Sequence, residues 1–224
     1  MGVDETKAKS MMVPQITELE RDIIKEILNI GLARAADSFA AIAKGQVLLK
    51  VPDIKLIEIS ELLALVQQYT DTHRIIQSDI KGEFNGATLM LFSEDYIARL
   101  SEICLSMLNV QKGELSVMQE SLLLEISNII TGALVTQLAN ILKADIYGSP
   151  PKVPSKHIAD SLKEILVQNP LFKPIVFTVI TRFTQNNRSA DLPLLLFFDA
   201  QTLLKILDII RSFDMGPNGF TESV

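Results

Sequence analysis

Thr17-Glu-Leu-Glu20 opens a long apolar segment, Thr17 to Lys44, and Ser116-Val-Met-Gln119 opens a second, Ser116 to Lys143, 99 residues further on. Each tetrapeptide sets a hydroxyl three residues before Glu or Gln. That is the pattern of a capping box, in which side chains and backbone satisfy each other's orphan groups at a helix start. Neither segment contains proline, and Gly45 is a natural stop for the first. Two long helices that recur at a fixed offset predict an internal duplication.

The downstream elements repeat in the same order. Gln46 to Ile57 is rich in Val, Leu and Ile, and a short amphipathic helix is expected near Ser60 to Gln68; Ala144 to Val153 and a helix near Ser155 to Gln168 correspond. Strand-like runs Arg74 to Glu83 and Ala87 to Phe92 flank Asn85-Gly86, a hairpin signal. Their counterparts are Pro174 to Thr184 and Leu192 to Phe198, with a longer polar loop expected over Gln185 to Asp191. Last helices close the halves near Glu94 to Leu108 and Gln201 to Phe213. This order predicts an α+β fold with a largely antiparallel sheet and two long helices packed against it. Neither half looks self-sufficient, because the long helices are apolar around most of their circumference. We read one pseudo-twofold domain over 16–213, made of repeats 16–110 and 115–213, between an N-terminal tail (1–15) and a C-terminal tail (214–224).

Composition narrows the function classes. The 224 residues carry 27 acidic and 21 basic side chains, a net charge of −6, and 48% are hydrophobic, so a folded core is expected and nucleic acid is not an expected partner. A single cysteine, Cys104, excludes an internal disulfide, and it reads as an apolar filler. His73, in an expected loop, and His157, at an expected helix start, are distant in sequence and argue against a metal or Ser-His-Asp site. There is no phosphate loop of the Gly-x-x-x-x-Gly-Lys-Ser/Thr kind, no Gly-x-Ser-x-Gly elbow and no His-Glu-x-x-His. Residues Met1 to Gln15 are polar without an apolar core, and the longest unbroken apolar run, Leu192 to Phe198, is too short for a bilayer. The expectation is a cytoplasmic protein with no membrane segment; Met11-Met12 could mark an alternative start.

The chemistry lies in the exceptions to the apolar helices. In the first, Asp22, Glu26 and Asn29 interrupt Ile23, Ile24, Ile27, Leu28, Ile30 and Leu32; in the second, Ser121, Glu125 and Asn128 interrupt Leu122, Leu123, Leu124, Ile126, Ile129 and Ile130. Steps of four and three put each trio on one helical face. The next position on each face is small, Ala33 or Gly132, which leaves room for another surface. One such row alone is most simply the solvent face of an amphipathic helix. Asparagine is a poor helix former, however, and here it recurs mid-helix in the same register.

Asp22-x-x-x-Glu26-x-x-Asn29 followed after 22 residues by Pro52, and Ser121-x-x-x-Glu125-x-x-Asn128 followed after 22 by Pro151, resemble the signature of the CheC/CheX/FliY family of response-regulator phosphatases. Two intact motifs resemble CheC more than one-motif CheX, and the likeness spans Thr17 to Phe213. The resemblance implies a CheC-like fold and hydrolysis of the aspartyl phosphate of a CheY-like response regulator. Asn29 and Asn128 would each orient the attacking water, and Glu26 and Glu125 would pair with a lysine of the regulator. Asp22 and Ser121 would support the motif, and Pro52 and Pro151 read as structural, setting the chain as it leaves the helix–strand turn. No cofactor of its own is implied, since Mg²⁺ is supplied by the regulator. A CheD-type receptor deamidase is a second implied partner, and a fused pseudo-dimer favours a monomer. Two other readings stay open: a non-catalytic binding module for a regulator or deamidase, and a structural protein with a decorative repeat.

Overall fold

The computed structural model describes residues 16–43, 47–51, 53–57, 59–67, 73–105, 115–154, 160, 163, 167, 172–183 and 188–212. Helix α1 (Glu18–Ala43) leads into strands β1 (Val47–Lys50) and β2 (Ile54–Leu56), helix α2 (Ile59–Gln67), a hairpin of β3 (His73–Gly82) and β4 (Gly86–Ser93), and helix α3 (Glu94–Leu105). The second half follows with α4 (Leu115–Leu142), β5 (Ile146–Gly148), a hairpin of β6 (Phe172–Phe183) and β7 (Arg188–Asp199), and α5 (Ala200–Ser212). Both expected tails, Gly45, Pro52 and His157 lie outside the described residues, and so does most of the helix expected near 155–168, in which 160, 163 and 167 are helical.

The strands form one seven-stranded sheet in the order β1-β6-β7-β4-β3-β5, with β2 also on β6, and every pairing is antiparallel. That order reads the same from both ends once the repeats are exchanged, so a pseudo-twofold axis passes between β4 and β7. The halves are also interleaved. β1 and β2 of the first repeat pair with β6 of the second, while β5 of the second pairs with β3 of the first. The fold is thus the duplicated α+β arrangement that the repeat predicts.

Alternation along the central strands explains why they read as continuous apolar runs. In β4, Met90 and Phe92 join the core beneath α1 and α4, together with Tyr96 and Ile97 of α3 and Leu203 and Leu207 of α5. Ala87, Leu89 and Leu91 point the other way, into a smaller cluster with Leu62 of α2, Leu195 and Phe197. Both faces of the sheet are therefore buried. α1 crosses α4 at Gly31, where a Cβ would lie 3.2 Å from Gln137 Cβ and 3.3 Å from the Ala133 carbonyl oxygen, so glycine sets how closely the helices approach. α4 is long and apolar enough to cross a membrane by length and composition alone, but 56% of its apolar window is buried inside the fold.

Four local expectations change. Only the first capping box forms: Thr17 N–H donates to Glu20 Oε2 (2.7 Å) and Glu20 N–H to Thr17 Oγ1 (3.2 Å). α4 already starts at Leu115, and Gln119 Nε2 instead donates to Ser101 Oγ on α3 (3.0 Å), since a neighbouring helix offers an acceptor there. The hairpin at Asn85-Gly86 exists but is not a two-residue turn. Gly82 takes the positive φ (120°), and Gly86 is already the first strand residue, opposite Ile80. His73 opens β3 opposite Ser93 instead of lying in a loop. The loop expected over Gln185 to Asp191 is mostly strand, because β7 begins at Arg188 opposite Phe183, so the second hairpin is extended by added rungs.

Candidate functional site

Helix burial separates the two faces of α1 cleanly. Ile23, Ile24, Ile27, Leu28, Gly31 and Leu32 are buried against the sheet and α4. Asp22, Glu26 and Ala33 are exposed on the far side, with Asn29 half-buried between them. On α4, Leu122, Leu123, Ile126, Ser127, Ile130 and Thr131 are buried, while Ser121, Glu125, Asn128 and Gly132 are exposed. The structure thus brings the predicted residues together as two surface stripes, one per long helix. A Cβ added at Gly132 would have no atom within 4 Å, so the space beyond Asn128 is open.

The carboxylates of Asp22, Glu26 and Glu125 form no ion pair with any described residue and are free to receive a cationic partner. Ser121 Oγ donates to the Val117 carbonyl one turn back (3.0 Å), so its hydroxyl proton is engaged within the helix. Among the described residues no three His, Cys, Asp or Glu side chains gather to hold a metal ion. Cys104 is half-buried, and burial pushes its thiol up to about 11, which keeps it protonated and inert near neutral pH.

The two asparagines differ. Asn29 Oδ1 accepts the backbone N–H of Val51 at 2.9 Å. Val51 is the residue just before Pro52, so the 22-residue spacing of the motif measures the distance from a helix side chain to the end of β1. Asn128 has no hydrogen-bond partner among the described residues. The matching position in the second repeat is Pro150, which has no N–H. Pro151 lies past β5, just before Lys152 pairs with Gln77. Sequence reasoning fixed on Pro52 and Pro151 and missed the residue in front of each, although the doubled proline at 150–151 was a visible signal. It also missed Leu48 and Tyr147, exposed apolar side chains at equivalent positions of the edge strands β1 and β5 (52% and 58%).

The geometry is thus a duplicated α+β fold with a Glu-x-x-Asn stripe on each of two paired core helices. The CheC-like family profile matches residues 118–154, a span that contains the whole second motif from Ser121 to Pro151. The chain is similar to the CheY-P phosphatase CheC of Bacillus subtilis (strain 168), 27% identical over 142 residues that make up 62% of this chain and 67% of that protein. Among solved structures, FliY of Thermotoga maritima has a similar fold (TM-score 0.68, 18% identity, 87% of this chain and 97% of that one). So does FliM of H. pylori, seen in a FliM–SpeE complex (TM-score 0.61, 11% identity, 90% of this chain and 99% of that one). Sequence and fold together support placing the chain in the CheC/CheX/FliY family.

Proposed function

We propose that this protein is a phosphatase of a phosphorylated CheY-like response regulator, acting in the cytoplasm through two sites, Glu26/Asn29 and Glu125/Asn128. The observation that carries this reading is the pair of exposed Glu-x-x-Asn stripes, each on an otherwise buried helix, in a chain similar to a CheY-P phosphatase. An aspartyl phosphate is an activated acyl phosphate, and its phosphoryl transfer passes through a loose transition state, so positioning matters more than a strong base. A neutral amide suits that task. Its oxygen accepts a water O–H while its NH₂ donates, and it brings no negative charge toward the phosphate. One turn away, Glu26 or Glu125 would take a lysine ammonium of the regulator in a charge-assisted bond and fix the approach. Mg²⁺ would be held by the regulator, as the family resemblance implies.

The test is phosphate release from a CheY-like regulator of the same organism, charged with a small phosphodonor and Mg²⁺. Wild type should accelerate it, and the Asn29→Ala/Asn128→Ala double variant should not. Full activity in the double variant would sink the mechanism. Binding of the regulator without acceleration would replace it with the docking-module reading, in which a CheD-type deamidase is the next partner to assay.

A further inference from the structure

Resting on that phosphatase reading, we propose that the residue 22 positions after each asparagine sets the strength of its site: the Val51 amide holds Asn29 back, whereas Pro150 leaves Asn128 free, so α4 carries most of the turnover. The argument starts at the sheet edges. β1 and β5 are the terminal strands, and the backbone just past each must dispose of N–H groups that face away from the neighbouring strand. In the second repeat, Ser149 N–H donates to the Asp79 carbonyl and Lys152 N–H to the Gln77 carbonyl, and the two residues between them are prolines, which have no N–H to satisfy. In the first repeat the corresponding donor remains. Val51 is fully buried, and a buried N–H left without an acceptor is costly, so Asn29 Oδ1 supplies one.

That structural duty competes with the catalytic one. For a water to attack phosphorus, its lone pair must face the phosphorus and its O–H bonds must point to acceptors; Oδ1 is the acceptor the amide offers. On Asn29 this oxygen already takes the Val51 N–H, and the side chain is drawn toward β1 and half-buried. One lone pair of that oxygen remains, but turning the side chain outward to present it to a docked regulator means releasing a backbone donor with no substitute among the described residues. On Asn128 both lone pairs are available, the side chain is exposed, and Gly132 leaves the adjoining turn open. The net worth of one hydrogen bond places the first site about threefold to tenfold below the second. Val51 and Pro150 are positioning residues here, since neither reaches the phosphate.

The experiment compares single-site proteins with a saturating phosphorylated regulator. Asn29→Ala, which leaves the second site, should keep most of the wild-type kcat, and Asn128→Ala should keep a minority. Adding Pro150→Ala to Asn29→Ala restores an N–H opposite Asn128 and should lower kcat with KM little changed. Adding Val51→Pro to Asn128→Ala copies the Pro-Pro pair into the first repeat and should raise kcat. Val51 is buried, so if that variant fails to fold, Pro150→Ala at an exposed position carries the kinetic test. Hydrogen exchange gives a readout independent of turnover. The Val51 amide should be protected in wild type and lose protection in Asn29→Ala, while the backbone amide that Pro150→Ala creates should be protected only when Asn128 is present. Equal kcat for the two single-site proteins, or a Pro150→Ala change without effect, would overturn the inference and leave the phosphatase reading standing. A wild type that turns over no regulator would remove that reading and the inference with it.

Discussion

The two repeats share a core and differ at their margins. At matched positions Ile27 and Ile126 are both buried under the same sheet, and the stripes Asp22/Glu26/Asn29 and Ser121/Glu125/Asn128 both face outward. At the helix starts the repeats part company. Glu20 completes a capping box and also binds Arg211 of α5, whereas Gln119 abandons Ser116 for Ser101 of α3. At the strand ends they part again, with Asn29 capping Val51 and Pro150 needing no cap. Duplication has preserved what the sheet and core demand of shape. The polar groups, each of which needs only some partner, have been satisfied in different ways. Apolar packing repeats across the pseudo-twofold axis, whereas these side-chain hydrogen bonds do not, even where they join the two halves.

The sharpest way to break this comparison is at the stripes. The Asn29→Ala/Asn128→Ala double variant should lose phosphatase activity by on the order of a hundredfold, the scale expected when a reacting group is no longer positioned, while its thermal midpoint falls by no more than about 10 °C, the cost of freeing the buried Val51 N–H. A collapse in stability instead would mark both asparagines as structural. The shared core is tested next: Ile27→Ala and Ile126→Ala should each cost about 2–5 kcal/mol in denaturant unfolding, and similar values would bear out equivalent burial. A smaller asymmetry is expected at the helix crossing. Gly31 is opposed by the α4 backbone, and its counterpart in the second repeat is Ile130, so Gly31→Val should destabilise by about 1–3 kcal/mol through overpacking that has no analogue at position 130.

The smallest effects belong to the capping differences. Thr17→Ala should cost about 1 kcal/mol, and Ser116→Ala, with no box to break, less than about 0.5 kcal/mol. pH sharpens this contrast. Burial alone would raise the Glu20 carboxyl, but the Thr17 amide, the Arg211 guanidinium and the Thr17 hydroxyl together hold it below its usual value. A carboxyl lowered in the folded state stabilises the fold above its unfolded pKa, and that contribution fades as pH falls through the lowered folded value. Wild type should therefore lose stability on acidification below about pH 4.5 more steeply than Glu20→Gln, as followed by urea midpoints across an acid series.

What the sequence made legible follows the same division. The duplication, the antiparallel sheet and the two stripes were all readable, because periodic apolar residues such as Ile23, Ile27 and Leu28 report burial directly. The interleaving of the halves was not. Nothing local in Val47–Lys50 says that it pairs with β6 across the repeat boundary instead of with its own hairpin. The second capping box failed because Ser101, a partner supplied by tertiary packing, lies on another helix. The hairpin at Asn85-Gly86 was placed correctly but misread in type, since Gly86 is needed against Phe198 across the sheet and the turn itself uses Gly82. In the site, the residue types and spacing were visible, but the role of position 51 was a backbone property that no side chain announces.

The exchange of edge strands has a consequence for how the chain is made. β1 occupies residues 47–50, yet its partner β6 is not synthesised until 172–183. At ribosomal speeds that is a wait on the order of ten seconds, during which α1 and its strand have no sheet to join. The nascent first half must therefore keep a long apolar helix and an open strand edge from finding the wrong partner, and the closing of β6 over β1 becomes a late, long-range step in maturation. A molecule built by copying one unit has in this way given up the chance to fold one unit at a time.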